Sequence, residues 1–351
     1  MAKILFTICG VGRGHATRSS VIIDALMKNH EILIVSYDDA YEFLEKKYRV
    51  ERISWFKMLY EKDRYRDFST ILYNIPLLPF VFAINLSKLS KIMKEFRPDI
   101  VISDFDVNGI YIAKIFGIPA ITISNMHVMD YVKPVLTLPG KISFIFTQGF
   151  MLKSFAFADY FIIMHLIKPE AKKKNVYFFY PIVRENVTNL KPKDEGYFFV
   201  YSSAIQLQTL VPLLEKFPDK KFLVVGAEGD KRGNMEFVKV LDDDKFANKL
   251  ANCIAFISHG GMSSMSEALM LGKPVYTFTS KKFYERHYNG KIAEGLGVGL
   301  VEETPTFEGL SRFFSNIPVY KQAIKKAKLT HENEKIIKKI EEIILYEKRR
   351  R

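Results

Sequence analysis

The chain is poor in cysteine: Cys9 and Cys253 are the only two in 351 residues. Two thiols cannot build a disulfide framework, so a reducing, cytoplasmic setting is expected. The opening residues, MAKILFTICG, hold too short an apolar run for a secretory signal peptide and pass straight into a glycine turn. They read as a first strand. No zinc-finger spacing, basic zipper or aromatic RNA-binding motif occurs, so nucleic acid is not the expected partner despite a net charge of +13. That charge still suits an anionic lipid surface or an anionic substrate. What remains is a chain that is 48% hydrophobic and 26% charged, a balance that fits a globular protein. Its length suggests two domains.

The most informative stretch is residues 254–274, IAFISHGGMSSMSEALMLGKP. A short apolar run, residues 254–257, predicts a buried strand. A tight turn through His259, Gly260 and Gly261 follows, then a helix over about residues 263–271. Gly272 stops that helix and Pro274 stands just beyond it. A strand feeding a glycine turn and then a helix N-terminus is an anion site, because free backbone N–H groups and the positive end of the helix dipole point at whatever binds there. Ser263 and Ser264 add hydroxyl donors. Glu267 lies one turn further on, where it could accept hydrogen bonds from a ribose diol.

This stretch resembles the nucleotide-sugar motif of GT-B glycosyltransferases, in the branch of the UDP-glycosyltransferases and the lipid-intermediate N-acetylglucosaminyltransferase. His259, Gly261, the Ser263-Ser264 helix start, Glu267 eight residues after the histidine, Ala268-Leu269 and Gly272-Lys273-Pro274 all fall in the family's order. The resemblance implies an α/β protein with two Rossmann-like domains facing a cleft. It also implies a UDP-sugar co-substrate, no further cofactor and no metal. Ser202, at the end of a predicted strand over residues 197–201, joins the expected phosphate-binding groups. In the loop after residues 275–279, Glu285 and Arg286 stand where relatives contact the donor sugar. Arg286 replaces the usual glutamine, so the sugar is not specified.

The amino-terminal half opens like a Rossmann unit: a strand over residues 3–8, a turn at Gly10, Gly12 and Gly14, a helix over about 17–29 and a strand over 31–36. His15 stands where a dinucleotide fingerprint needs its third glycine, which weakens any oxidoreductase reading. The turn is similar to the acceptor-side loop of the same glycosyltransferases, where a histidine follows a glycine-rich turn. The resemblance makes His15 the candidate base, with Gly12, Gly14 and Arg18 on its face. A histidine that merely starts the helix is the alternative. Asp104 ends a predicted strand over residues 100–103, and the resemblance gives it the task of orienting His15. Asp104-Phe105-Asp106 has the letters of a metal motif but lies in the acceptor half.

Residues 68–87 carry no charge, yet Asn74, Pro76, Pro79 and Asn85 argue against a spanning helix. Two readings stay open: a buried helical hairpin, or an exposed apolar flap beside Lys62, Arg64 and Arg66 that meets an anionic membrane or a lipid-linked acceptor. Pro181 and Pro192 mark a boundary, giving an acceptor-side unit over residues 1–181, a linker over 182–196 and a donor unit over 197–330. The basic end, residues 331–351, reads as an amphipathic helix docked through Ile336, Ile337, Ile340, Ile343 and Ile344 and crossing back to the first unit. The function implied is inverting transfer of a sugar from a UDP-sugar to a hydroxyl or lipid-linked acceptor. Its rivals are a non-hydrolysing sugar-nucleotide epimerase and a polyanion- or membrane-binding protein on an inactive fold.

Overall fold

The computed structural model describes residues 1–54, 60–61, 64–65, 75–133, 150–229, 231–279 and 284–351. Two parallel sheets carry the chain. The first comprises β1 (Lys3–Ile8), β2 (Glu31–Ser36), β3 (Val50–Arg52), β6 (Ile100–Asp104), β7 (Ala120–Ser124), β8 (Tyr160–Met164) and β9 (Val176–Phe179), in the order β3-β2-β1-β6-β7-β8-β9. A small antiparallel hairpin, β4 (Tyr60–Glu61) and β5 (Arg64–Tyr65), stands apart from it. The second sheet comprises β10 (Tyr197–Tyr201), β11 (Lys221–Val225), β12 (Met235–Val238), β13 (Phe256–Ser258), β14 (Val275–Phe278) and β15 (Gly299–Glu302), in the order β12-β11-β10-β13-β14-β15. Central strands such as ILFTI and VISD are buried along their length, as parallel strands covered on both faces must be.

The longer helices are α1 (Arg13–Leu26), α2 (Asp38–Leu44), α3 (Leu78–Phe96) and α4 (Val107–Phe116) with the first sheet. With the second sheet come α5 (Ala204–Leu214), α6 (Asp243–Asn252), α7 (Met262–Met270), α8 (Tyr284–Gly295), α9 (Phe307–Ser315) and α10 (Ile317–Ala327). The last, α11 (Asn333–Arg350), returns to the first unit. Its Ile336, Ile340, Ile343 and Ile344 are buried in one cluster with Ile4, Phe6 and Ile22, which answers the isoleucine spacing of the sequence. The first sheet spans residues 3–179 and the second 197–302. Between them Val183 and Val187 are buried in the core of the second unit.

The uncharged run is helical from residue 75 onward where it is described; residues 68–74 lie outside the described residues, as do Lys62 and Arg66. Pro79 sits at the start of α3, where its missing N–H leaves no bond unmade. Asn85 is buried and staples α3 to the end of β3, accepting from Ser54 N at 2.9 Å and donating to Ser54 O at 2.8 Å. Leu89, Ile92, Met93 and Phe96 face the core. Phe80, Phe82 and Ile84 do not: they are 69%, 39% and 58% exposed. Where it is described, the run is therefore one helix and not a buried hairpin, with a core face and exposed apolar side chains toward its amino end. Among the described residues no helix is long and apolar enough to cross a membrane.

The two units touch. Tyr288 of α8 is buried among the first unit's core residues, and its hydroxyl donates to Val132 O at 2.8 Å.

Candidate active site

Parallel strands place their carboxyl ends along one edge, and in open α/β sheets functional groups collect there. His15 and Arg18 follow the end of β1, Asp104 ends β6 and Asn125 follows β7. Across from them, Ser202 follows β10 and His259 follows β13.

On the first side Asp104 is the hub. It is fully buried. Arg18 grips it with both arms of its guanidinium, Nε donating to Oδ2 at 2.7 Å and Nη2 to Oδ1. Ser19 Oγ adds a hydrogen bond to Oδ2 at 2.7 Å. His15 Nδ1 lies 2.8 Å from Oδ1 and 2.9 Å from Arg18 Nη2. With a proton on Nδ1 the ring donates to Asp104 and Nε2 holds the free lone pair. Without it Nδ1 accepts from Arg18 and Nε2 carries the hydrogen. The sequence paired His15 with Asp104; the structure adds Arg18 to the same oxygen. Burial pushes the Asp104 carboxyl up, but the charge of Arg18, then that of His15, and the hydrogen bonds from both hold it well below the usual carboxylate range.

Two residues on, Asp106 caps α4 by accepting from Asn108 N at 2.7 Å. Burial pushes its carboxyl up to about 6. Between the two aspartates, Phe105 has φ +53°. That left-handed conformation costs a bulky residue on the order of 1–3 kcal/mol. Its ring stacks on His15.

On the second side the predicted strand, turn and helix are present. Gly260 has φ +84°, and a Cβ there would lie 2.7 Å from Arg286 O, so only glycine fits the turn. Gly261 caps α7. Asn289 Nδ2 donates to Gly260 O at 3.1 Å and ties α8 to the turn. His259 is half-buried beside this helix start, and its Nδ1, which solvent does not reach, has no partner among the described residues. Desolvation, helped by the charge of Arg286, pushes its pKa down to about 3, so the ring is neutral near pH 7. Ser202 Oγ donates to Gln206 Oε1 at 2.7 Å, and Ser264 Oγ to Gly261 O at 3.4 Å. Glu267 is buried and gripped by Arg184, whose Nε and Nη2 donate to its two oxygens at 2.7 Å each. Arg184 Nη1 also lies 3.2 Å from Asp243 Oδ1.

At the site the halves meet through two hydrogen bonds among the described residues. Ser263 Oγ donates to Gly14 O at 3.4 Å, so the amino ends of α1, capped by Gly12, and of α7 approach each other. Asn125 Nδ2 donates to Glu285 Oε1 at 2.8 Å, while Asn125 Oδ1 accepts from Arg18 Nη1 at 3.3 Å. Glu285 is thereby wired to the His15 cluster. Sequence reading missed Phe105, Ser19, Asn125 and Arg184. Asn125 and Arg184 carried a weak signal, one at a strand end and the other after Pro181.

Residues 2–318 match the family model of glycosyl transferase family 1. The chain belongs to that family. A glycosyltransferase of Methanosarcina acetivorans is 26% identical over 324 residues, covering 85% of this chain and 84% of the relative. A UDP-glucosyltransferase from Polygonum tinctorium has the same fold, with TM-score 0.68, 14% identity and 98% of each chain covered. The glycosyltransferase VinC, solved with dTDP, superposes with TM-score 0.65 at 13% identity over 99% of this chain and 100% of its own. This glycosyltransferase therefore has the GT-B architecture that its donor motif suggested.

Proposed function

We propose that the protein moves a sugar from a UDP-sugar to a hydroxyl acceptor with inversion at the anomeric carbon and without a metal. One observation carries the reading: the His15–Asp104–Arg18 cluster of the first unit meets the amino end of α7 in the second through the Ser263 to Gly14 contact. In this reading the acceptor oxygen attacks the anomeric carbon opposite the diphosphate. The bond to the diphosphate breaks, and UDP leaves with the electron pair. His15 Nε2 takes the acceptor proton when Nδ1–H is bonded to Asp104. The charge that grows on the diphosphate meets the free N–H groups of α7, Ser263, Ser264 and neutral His259. Glu267 accepts from the ribose while Arg184 holds it, since each carboxylate oxygen has a second lone pair. Glu285 and Arg286 face the sugar. Solved relatives act on or bind UDP and dTDP compounds, which supports a nucleotide donor.

A second element of the reading is the acceptor's setting. Phe80 and Ile84 are exposed on the face of α3 away from the core, and Phe82, at the same end of the helix, makes a 5.8 Å ring contact with Tyr111, which meets Phe157 at 5.5 Å. Lys88, Lys91 and Lys94 further along α3, with Lys114 and Lys153, are exposed as well. Exposed apolar side chains on an element that also carries cations suit an anionic lipid surface. We assign this face to reversible membrane contact on the cytoplasmic side.

The test is thermal unfolding with UDP-, GDP- and dTDP-glucose. A ligand near 100 times its dissociation constant adds about 2.7 kcal/mol, so the UDP compound should raise the midpoint most. No shift with any of the three would overturn the reading. An epimerase would isomerise the donor without acceptor, and a polyanion binder would show steep salt dependence and no turnover.

A further inference from the structure

We propose that Phe105 is a positioning residue for His15, holding the imidazole plane through its face while Asp104 holds it by its edge. The inference rests on His15 as the base and adds a second constraint to it. The two rings are nearly parallel, at 14°, with centroids 5.9 Å apart. That is the offset stack aromatic rings prefer. Phe105 is itself fixed: its ring stacks on Phe155 at 5.1 Å and 20°, and meets the edge of His127 at 6.4 Å. Phe105 and Phe155 are both buried in the first unit's core. His15 is thus the outermost member of a stack anchored in that core.

The edge contact alone is not enough. A hydrogen bond at Nδ1 holds the ring only as firmly as one partner is preferred over another. Arg18 Nη2 stands 2.9 Å from the same nitrogen, so a tilt of the ring exchanges one partner for the other and with it the tautomer. An aromatic ring stacked in offset against the imidazole limits that tilt. The backbone supports the argument. The left-handed conformation at residue 105 is free of strain for glycine and strained for phenylalanine. A strained aromatic residue between two buried aspartates, with its ring on the candidate base, points to a task for the ring.

The experiment compares Phe105→Tyr, which keeps a ring, with Phe105→Leu, which keeps bulk and loses it. The first readout is the NMR order parameter of His15 Cε1–H in the full chain, which needs no ligand. The second is UDP release from UDP-glucose, with UDP affinity measured beside it. Phe105→Tyr should match the native order parameter and stay within about twofold of native turnover. Phe105→Leu should fall below about 0.6 and lose roughly ten- to a hundredfold in kcat, with UDP affinity unchanged. If Phe105→Leu does not fold, Phe105→Met takes its place. An unchanged order parameter in the ringless variant overturns the proposal, whatever the activity. Loss of order in a protein that releases no UDP would uphold the positioning and remove the assigned reaction.

Discussion

Arg18 and His15 share one oxygen of Asp104, with His15 Nδ1 2.8 Å from Oδ1 and Arg18 bonded to the same atom. The base is therefore embedded in a buried ion pair, and its useful tautomer depends on which neighbour it faces. The consequences for stability and for turnover are separable.

Asp104→Asn leaves Arg18 buried without its counter-charge, and breaking such a pair costs about 3–5 kcal/mol. The loss should depend on pH. The folded carboxyl titrates below its unfolded value, so the unfolded chain takes up the proton first on acidification. Asp104 stabilises fully above pH ~4, and that contribution disappears below it as the pH falls toward the folded value. Urea unfolding at pH 7 and pH 3 should show the gap between native and variant proteins narrower at the lower pH, where part of the contribution is already lost. A gap that is the same at both would mean that the ion pair is not what the substitution removes.

His15→Ala reports on the acceptor. A hydroxyl must lose its proton as it attacks, and a positioned base typically supplies about 10²–10⁴-fold. Turnover with a hydroxyl acceptor should fall by that factor while UDP affinity holds. A phosphate acceptor is already ionised and needs no base, so its loss should be small and should lie in KM. A loss below tenfold with a hydroxyl acceptor removes His15 from the chemistry.

Glu267→Ala should weaken UDP binding by roughly 1.5–3 kcal/mol, the size of a hydrogen bond to a charged group. Titration calorimetry measures this directly. Arg184→Lys is its companion, because an ammonium cannot grip both oxygens of Glu267 at once; it should weaken UDP less than Glu267→Ala does. If Glu267→Ala lowers the unfolding midpoint and leaves UDP affinity intact, Glu267 serves Arg184 and not the ribose.

Phe80→Ser with Phe82→Ser addresses the membrane. Both side chains are exposed, so the double variant should keep its unfolding midpoint within a few degrees. It should also lose salt-sensitive binding to vesicles containing phosphatidylserine. Retained vesicle binding, or a protein that no longer folds, would remove the lipid assignment.

Short windows of the chain encode several pieces of the fold directly. The run from Ile254 to Pro274 carries its strand, its glycine turn and its helix stop within one stretch, and each follows from backbone geometry and the apolar period. The same holds for the opening turn around Gly12 and for the isoleucine face of α11. Tertiary structure decided the partners. Arg18 and Asp104 are 86 positions apart, Arg184 and Glu267 are 83, and Asn125 and Glu285 are 160. No local pattern relates residues so separated; they meet because parallel strands align their carboxyl ends and two sheets face each other. The strain at Phe105 was equally hidden. A phenylalanine after an aspartate has no local reason to turn left-handed, and it does so only where the end of β6, the cap of α4 and the stack on His15 and Phe155 constrain it together.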